Sequence, residues 1–167
     1  MLTIKTILFL ASTGVSTVAL AAASHDSPPP PAVFVSKAAQ DGMTEVELGK
    51  LALGKTKNAE VREFAQRMVT DHGKANQELA SIAKNKGIDP PKTLDASHKN
   101  LVSKLQSEEG DAFDLEYSRH MNMDHDKAIE LFEAASNSPD ADLAGFAKKT
   151  LPTLKEHKEM ASKLPGQ

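Results

Sequence analysis

An all-α bundle of four long helices, folded as two antiparallel hairpins, is the architecture this sequence predicts. Three observations predict it. Over four long stretches, apolar residues recur with the 3.6-residue period of a helix that buries one face. The apolar palette is Ala, Leu, Val, Met and Phe, with no Trp, no Cys and a single Tyr. No stretch alternates as a strand does, and none carries a glycine-rich phosphate loop.

The first residues read as a leader rather than as fold. Residues 1–5 are weakly positive and 7–20 are apolar and small. Ala19-Leu20-Ala21 and Ala21-Ala22-Ala23 both satisfy the small-x-small cleavage rule. Residues 1–23 are therefore expected to be a secretory signal peptide. Their apolar run of about 14 residues is short of the roughly 20 that span a bilayer. An exported protein follows: periplasmic, with outer-membrane association or secretion as alternatives, and no transmembrane segment after cleavage. Without Cys there is no lipid anchor, disulfide, thiolate metal site or Cys nucleophile. The remaining chain of about 144 residues makes one domain, and losing Lys5 takes its formal charge from −3 to about −4. Mild acidity without a basic, aromatic-interleaved patch excludes nucleic acid as the main partner. Residues 24–31, ending in four prolines, form a stiff tether. Residues 32–165 form the bundle.

The first long helix is expected over 32–55, with Phe34, Ala38, Glu45, Leu48 and Ala52 on one face; Asp41-Gly42 weakens it without ending it. The short turn 56–58 makes the first two helices antiparallel neighbours. Asn58 is placed to cap the second helix, 59–86, and Glu60 sits in its first turn where an acid suits the helix dipole. The inner stripe there is Val61, Phe64, Ala65, Met68, His72, Ala75, Leu79, Ile82 and Ala83, and Gly87 stops the helix. Pro90-Pro91 mark a connector, and 96–106 forms a short extra helix with Leu101, Val102 and Leu105 inward. The third long helix, 111–135, turns Asp114, Met121, His125, Ala128, Phe132 and Ala135 inward, with Tyr117 and Leu131 beside them. Ser138 is expected to cap the fourth helix and Pro139 to take its first position. That helix, 140–164, buries Leu143, Phe146, Ala147, Thr150, Leu154, His157, Ala161 and Leu164, and Pro152 should kink it or cost one hydrogen bond. A faint repeat between 61–68 and 143–150 supports two equivalent hairpins.

Each long helix places one metal-competent residue on its inner stripe: Glu45, His72, His125 and His157. Glu45 lies about 12 residues before the first turn, His72 about 14 after it, and His125 about 12 before the last break; at 1.5 Å per residue they share one level. His157 lies about one turn further out, across the Pro152 irregularity. A buried imidazole needs partners for both ring nitrogens. One divalent ion, Zn, Fe, Cu or Mn, would satisfy all four side chains, and no organic cofactor is indicated. Asp71 and Asp124 each precede their histidine and point about 100° away from it. They are expected to accept the second ring N–H of a histidine on a neighbouring helix. Glu47 competes with Glu45 for the inward position. His98 and His120 are expected to be solvated. Met43, Met68, Met121, Met123 and Met160 are expected to fill the core rather than bind copper.

Four segments carry a family resemblance. They are 45–53, which opens Glu-Val-Glu-Leu-Gly; 64–79, which contains Met-Val-Thr-Asp-His-Gly-Lys-Ala-Asn; 124–132, which opens Asp-His-Asp-Lys-Ala; and 151–157, Leu-Pro-Thr-Leu-Lys-Glu-His. Over about 33–164 the chain resembles the exported bacterial ferritin-like family labelled domain of unknown function 4142, whose members are often called outer membrane proteins. The resemblance implies a ferritin-like bundle and an exported protein. It also implies that Glu45, His72, His125 and His157 match recurring polar core positions. It implies no activity. Di-iron carboxylate proteins use Glu-x-x-His motifs, whereas here Val69, Asn122 and Leu154 stand three residues before the histidines. Three His and one carboxylate suit a single ion, so neither ferroxidase chemistry nor iron storage is expected.

Three functions fit these residues. The first is a metal-binding bundle that stores, buffers or senses one ion. The alternative is a structural or stress-related envelope protein whose core histidines form a metal-free hydrogen-bonded network that titrates near neutral pH. An enzyme with a His general base comes third, because no nucleophile is placed beside a histidine.

Overall fold

The structure is a computed structural model that describes residues 27–167. The expected signal peptide and residues 24–26 of the tether lie outside the described residues. The helices are α1 (Pro31–Lys55), α2 (Ala59–Arg67), a π-helical turn (Met68–His72), α3 (Gly73–Asn85), α4 (Ala96–Ser107), α5 (Gly110–Ala135) and α6 (Ala141–Ala161). The second expected helix is thus one continuous rod interrupted by a wider turn that ends at His72.

The helix ends follow from local chemistry. Pro31 opens α1 one residue earlier than expected, because a missing N–H costs nothing at the first helical position. Asn58 Oδ1 accepts from the Glu60 and Val61 amides at 2.9 and 3.1 Å. Gly87, at φ +67°, follows α3 in the left-handed conformation that glycine adopts without strain. At α6 the expected Ser138 cap is replaced by Asp140. Its Oδ1 accepts from the Asp142 and Leu143 amides at 3.2 Å each, while Ser138 Oγ accepts the Asp140 amide and shapes the turn before it. A carboxylate also gains from the helix dipole, which a hydroxyl does not. Helix α6 runs through Pro152, whose missing N–H falls on an exposed face, so the Lys148 carbonyl it leaves unbonded is not buried.

Aromatic contacts fix the topology. Near the start of α1, Phe34 meets Phe132 late in α5 at 5.1 Å and Phe146 early in α6 at 6.3 Å. At the other end Phe64 of α2 meets Tyr117, early in α5, at 6.2 Å. The link between α3 and α5 must therefore travel the length of the bundle. It runs beside α1. Gln40 donates to the Thr93 carbonyl and accepts the Asp95 amide, both at 3.1 Å, and Lys55 Nζ donates to the Glu108 carbonyl at 2.9 Å. Two hairpins joined by one long crossover is the connectivity of ferritin-like bundles. Among the described residues no helix is long and apolar enough to cross a membrane.

The apolar core is in two parts. One cluster gathers Phe34, Leu79, Phe132, Leu143, Phe146 and Leu154. The other gathers Leu48, Val61, Phe64, Phe113, Tyr117 and Met121. Between them lies a buried polar layer of Glu45, His72, His125 and His157. Glycines let α1 approach its neighbours. A Cβ at Gly49 would stand 3.0 Å from the Ala65 carbonyl oxygen, and one at Gly42 would overlap the Asn76 side chain at 2.2 Å. Gly42 is a packing position, not merely a weak point in α1. Met123 departs from expectation: it is 53 % exposed, while Met68 and Met121 are fully buried.

Candidate metal centre

Of the two rival carboxylates, Glu45 faces the core, while Glu47 is exposed and pairs with Lys50 at 3.1 Å. His72, His125 and His157 come from three different rods and meet as a triangle of rings. The centroids are 5.7 Å apart for His72–His125, 5.2 Å for His72–His157 and 5.5 Å for His125–His157. All three expected histidines therefore share one level, and the Pro152 irregularity does not take His157 out of register.

Each ring has one nitrogen engaged and one free. His72 Nδ1 pairs with Glu45 Oε2 at 2.7 Å. His125 Nδ1 donates to the Met121 carbonyl, one turn back, at 2.8 Å. His157 Nε2 pairs with Asp71 Oδ2 at 3.1 Å. The remaining atoms, His72 Nε2, His125 Nε2 and His157 Nδ1, are buried and have no hydrogen-bond partner. Each histidine offers one ligand atom to a common group whose atoms all lie within 4.8 Å of one another. A carbonyl only accepts, so His125 carries its proton on Nδ1 and turns a lone pair inward. With ionised carboxylates, His72 and His157 do the same. A tetrahedral ion with bonds of about 2 Å holds its ligand atoms about 3.3 Å apart. Burial of otherwise orphaned nitrogens is costly, so the donor set fits a bound cation.

The other expected members take different places. Glu45 orients His72, and its free Oε1 is buried and unpartnered 3.6 Å from His125 Nε2. It stands beside the convergent nitrogens rather than among them. Asp71 accepts from the histidine of the facing helix, as its 100° offset suggests. Asp124 makes no bond to these three histidines. The second nitrogen of His125 is held by the Met121 carbonyl of its own helix, because a helical histidine reaches its own i−4 carbonyl without help from another element. Asp124 acts on the site through its charge alone.

Burial controls the electrostatics. It lifts Glu45 to about 8, with His125 opposing and Asp124 adding. It depresses His72 to about 4 against the pull of Asp71 and Asp124. His157 also falls to about 4, through burial and then the neighbouring His72. His125 is lowered for the same first reason. In the ion-free protein the layer is therefore neutral, and a cation would reverse the preference of Glu45.

His98 and His120 are not solvated as expected. His98 bridges Asp95 at 2.9 Å and Asp41 at 3.4 Å, and its side chain is 25 % exposed. His120 Nε2 is buried and unpartnered. The sequence holds no spacing signal for the first pairing, because Asp41 and His98 lie on separate elements joined only by the crossover.

Fold and site together define an all-α four-helix bundle with a buried tri-histidine layer able to hold a metal. The chain belongs to the family described as "Domain of unknown function (DUF4142)", whose model matches residues 16–164. No curated protein matches it. Among solved structures it is similar to the crystal structure of a DUF305 fragment from Deinococcus radiodurans. That similarity has a TM-score of 0.69 at 14 % identity and covers 81 % of this chain and 95 % of the other. It shows a shared fold.

Proposed function

We propose that this protein binds one divalent transition-metal ion in its core through His72, His125 and His157. Glu45 and Asp71 orient the ligands, and Glu45 Oε1 is available as a further donor. The observation that carries the reading is a triangle of three buried imidazoles close enough to share one ion, each with one nitrogen tied down and the other buried without a partner. A metal-free hydrogen-bonded network would pair these nitrogens with one another, and they are not paired. Nitrogen donors favour Zn, Cu or Fe over Mg or Ca. When bound, such an ion supplies a Lewis-acidic or redox centre screened from bulk water. The protein's own residues fix ring orientation and tautomer. Metal buffering or sensing outside the cytoplasm is the role this supports, given the leader-like first residues.

The test is elemental analysis of untagged protein isolated from the periplasm without chelator. One ion per chain, lost in His72→Ala, supports the site and names the metal. Absence of metal, with no thermal shift on adding Zn, Fe(II), Cu or Mn, refutes it. Sequencing the amino terminus of the same material tests export.

A further inference from the structure

Asp41 stands between two spaces. On its outer side a cleft of about 430 Å³ opens between α1, the start of α4 and α5, with Gln40, Asp95, His98, Asp124 and Lys127 among its walls. On its inner side is a cavity of about 20 Å³ whose polar side chains are Asp41, Glu45, His72, Asn76 and Thr150. That volume admits one water-sized guest. Glu45 is only 2 % exposed, lines this cavity and keeps Oε1 without a partner. Asp41 is thus the one acidic side chain common to the open cleft and to the cavity beside the histidines.

Charge runs along the same line. Burial, then Asp124 and Glu45, raise Asp41 to about 6, with His98 pulling the other way. No Lys or Arg is buried among the described residues to balance this negative charge, although Lys37 and Lys127 flank the cleft. The other carboxylate that touches the site, Asp71, opens on a groove where Arg62 and Arg67 balance Asp71 and Glu63, whereas in the cleft Asp41, Asp95 and Asp124 outnumber Lys37 and Lys127.

We propose that divalent cations are taken up in the Asp41–Asp124 cleft and pass Asp41 to reach the core histidines. This rests on the reading of His72, His125 and His157 as a metal site. The cleft carboxylates replace the ion's water ligands a few at a time, and His98 must release Asp41 as the ion passes. Asp41 then sets the rate of exchange and not the strength of binding.

The experiment uses ion-free full-length protein and Co(II), followed by stopped-flow visible absorption, with equilibrium affinity measured against a competing chelator. Asp41→Asn should slow loading and release alike by about tenfold or more, the scale on which charged clefts act on association, and leave Kd unchanged. Asp124→Asn should slow both less. Glu159→Gln, an exposed change of equal charge, should do neither. Wild-type rates in Asp41→Asn, or a loss of affinity at an unchanged loading rate, overturn the passage while the core site stands. A wild-type protein that takes up no Co(II) overturns the core site and the passage with it.

Discussion

Glu45→Gln tests the electrostatics of the layer most directly. The substitution keeps the shape and a carbonyl oxygen for His72 Nδ1, and it removes the charge. Glu45 is pushed up to about 8 in the folded, ion-free protein, against 4.5 for an ordinary glutamate. Between those values the folded chain holds a proton that the unfolded chain has lost. Stability from this group is therefore full below about 4.5, falls as pH rises from there to about 8, and is level above that. At about 1.4 kcal/mol per unit the ceiling is roughly 5 kcal/mol, and a few kcal/mol is the expected size, since His72 shares the proton. Urea unfolding in the presence of chelator, at intervals from pH 6.5 to 9, samples the upper part of this loss, about 2 kcal/mol between pH 6.5 and 8. The wild type should weaken across this range, while Glu45→Gln stays flat and becomes the more stable protein at pH 9. Saturating Zn should remove the wild-type slope, because a cation beside Oε1 stabilises the carboxylate. Parallel curves for the two proteins without metal would refute the reasoning.

The acid limb has the opposite sign. His72 and His157 are held to about 4, so ion-free stability should fall as pH drops from 6.5, by up to about 3 kcal/mol for each histidine, with Glu45 returning part. Extended down to pH 4, the unfolding series should therefore peak near pH 6.5, and rising stability below that pH would contradict it. Asp71→Asn removes the carboxylate that holds His157 Nε2 at 3.1 Å; metal affinity should fall about 10- to 100-fold with the fold intact by circular dichroism. Gly49→Ala places a methyl 3.0 Å from the Ala65 carbonyl oxygen and from Val69 Cγ2. Overpacking of about 1–3 kcal/mol should outweigh a helix-propensity gain of about 1 kcal/mol, lowering the unfolding midpoint.

Much of the bundle was legible because its signals are local. The 3.6-residue stripe, Asn58 and Gly87 each act within one element, and counting from the short turns placed Glu45, His72 and His125 at one depth. His157 also arrived at that depth, because Pro152 lies on the exposed side and leaves the inner hydrogen bonds of α6 intact. What stayed hidden depends on contacts between elements or on ring atoms. Nothing in the order of residues says that Glu45 orients His72, that the Met121 carbonyl holds His125, or that the crossover brings His98 to Asp41. Asp140 prevailed over Ser138 as a cap through the charge it offers the α6 terminus, a difference that the Ser-Pro pattern conceals.

The π-helical turn explains how one rod serves two neighbours. In a regular α-helix Asp71 and His72 diverge by about 100°. A turn closed by i→i+5 bonds advances by less per residue, so the two side chains lie closer on the inner face. His72 can then meet Glu45 on α1 while Asp71 meets His157 on α6. The Thr70 hydroxyl donates to the Gln66 carbonyl at 2.9 Å, the kind of bond that loosens a helix locally. The wider turn costs packing regularity at the junction of the two apolar clusters. That is where the polar layer already interrupts the core, so the irregular turn and the buried titratable groups share one level of the bundle instead of interrupting it twice.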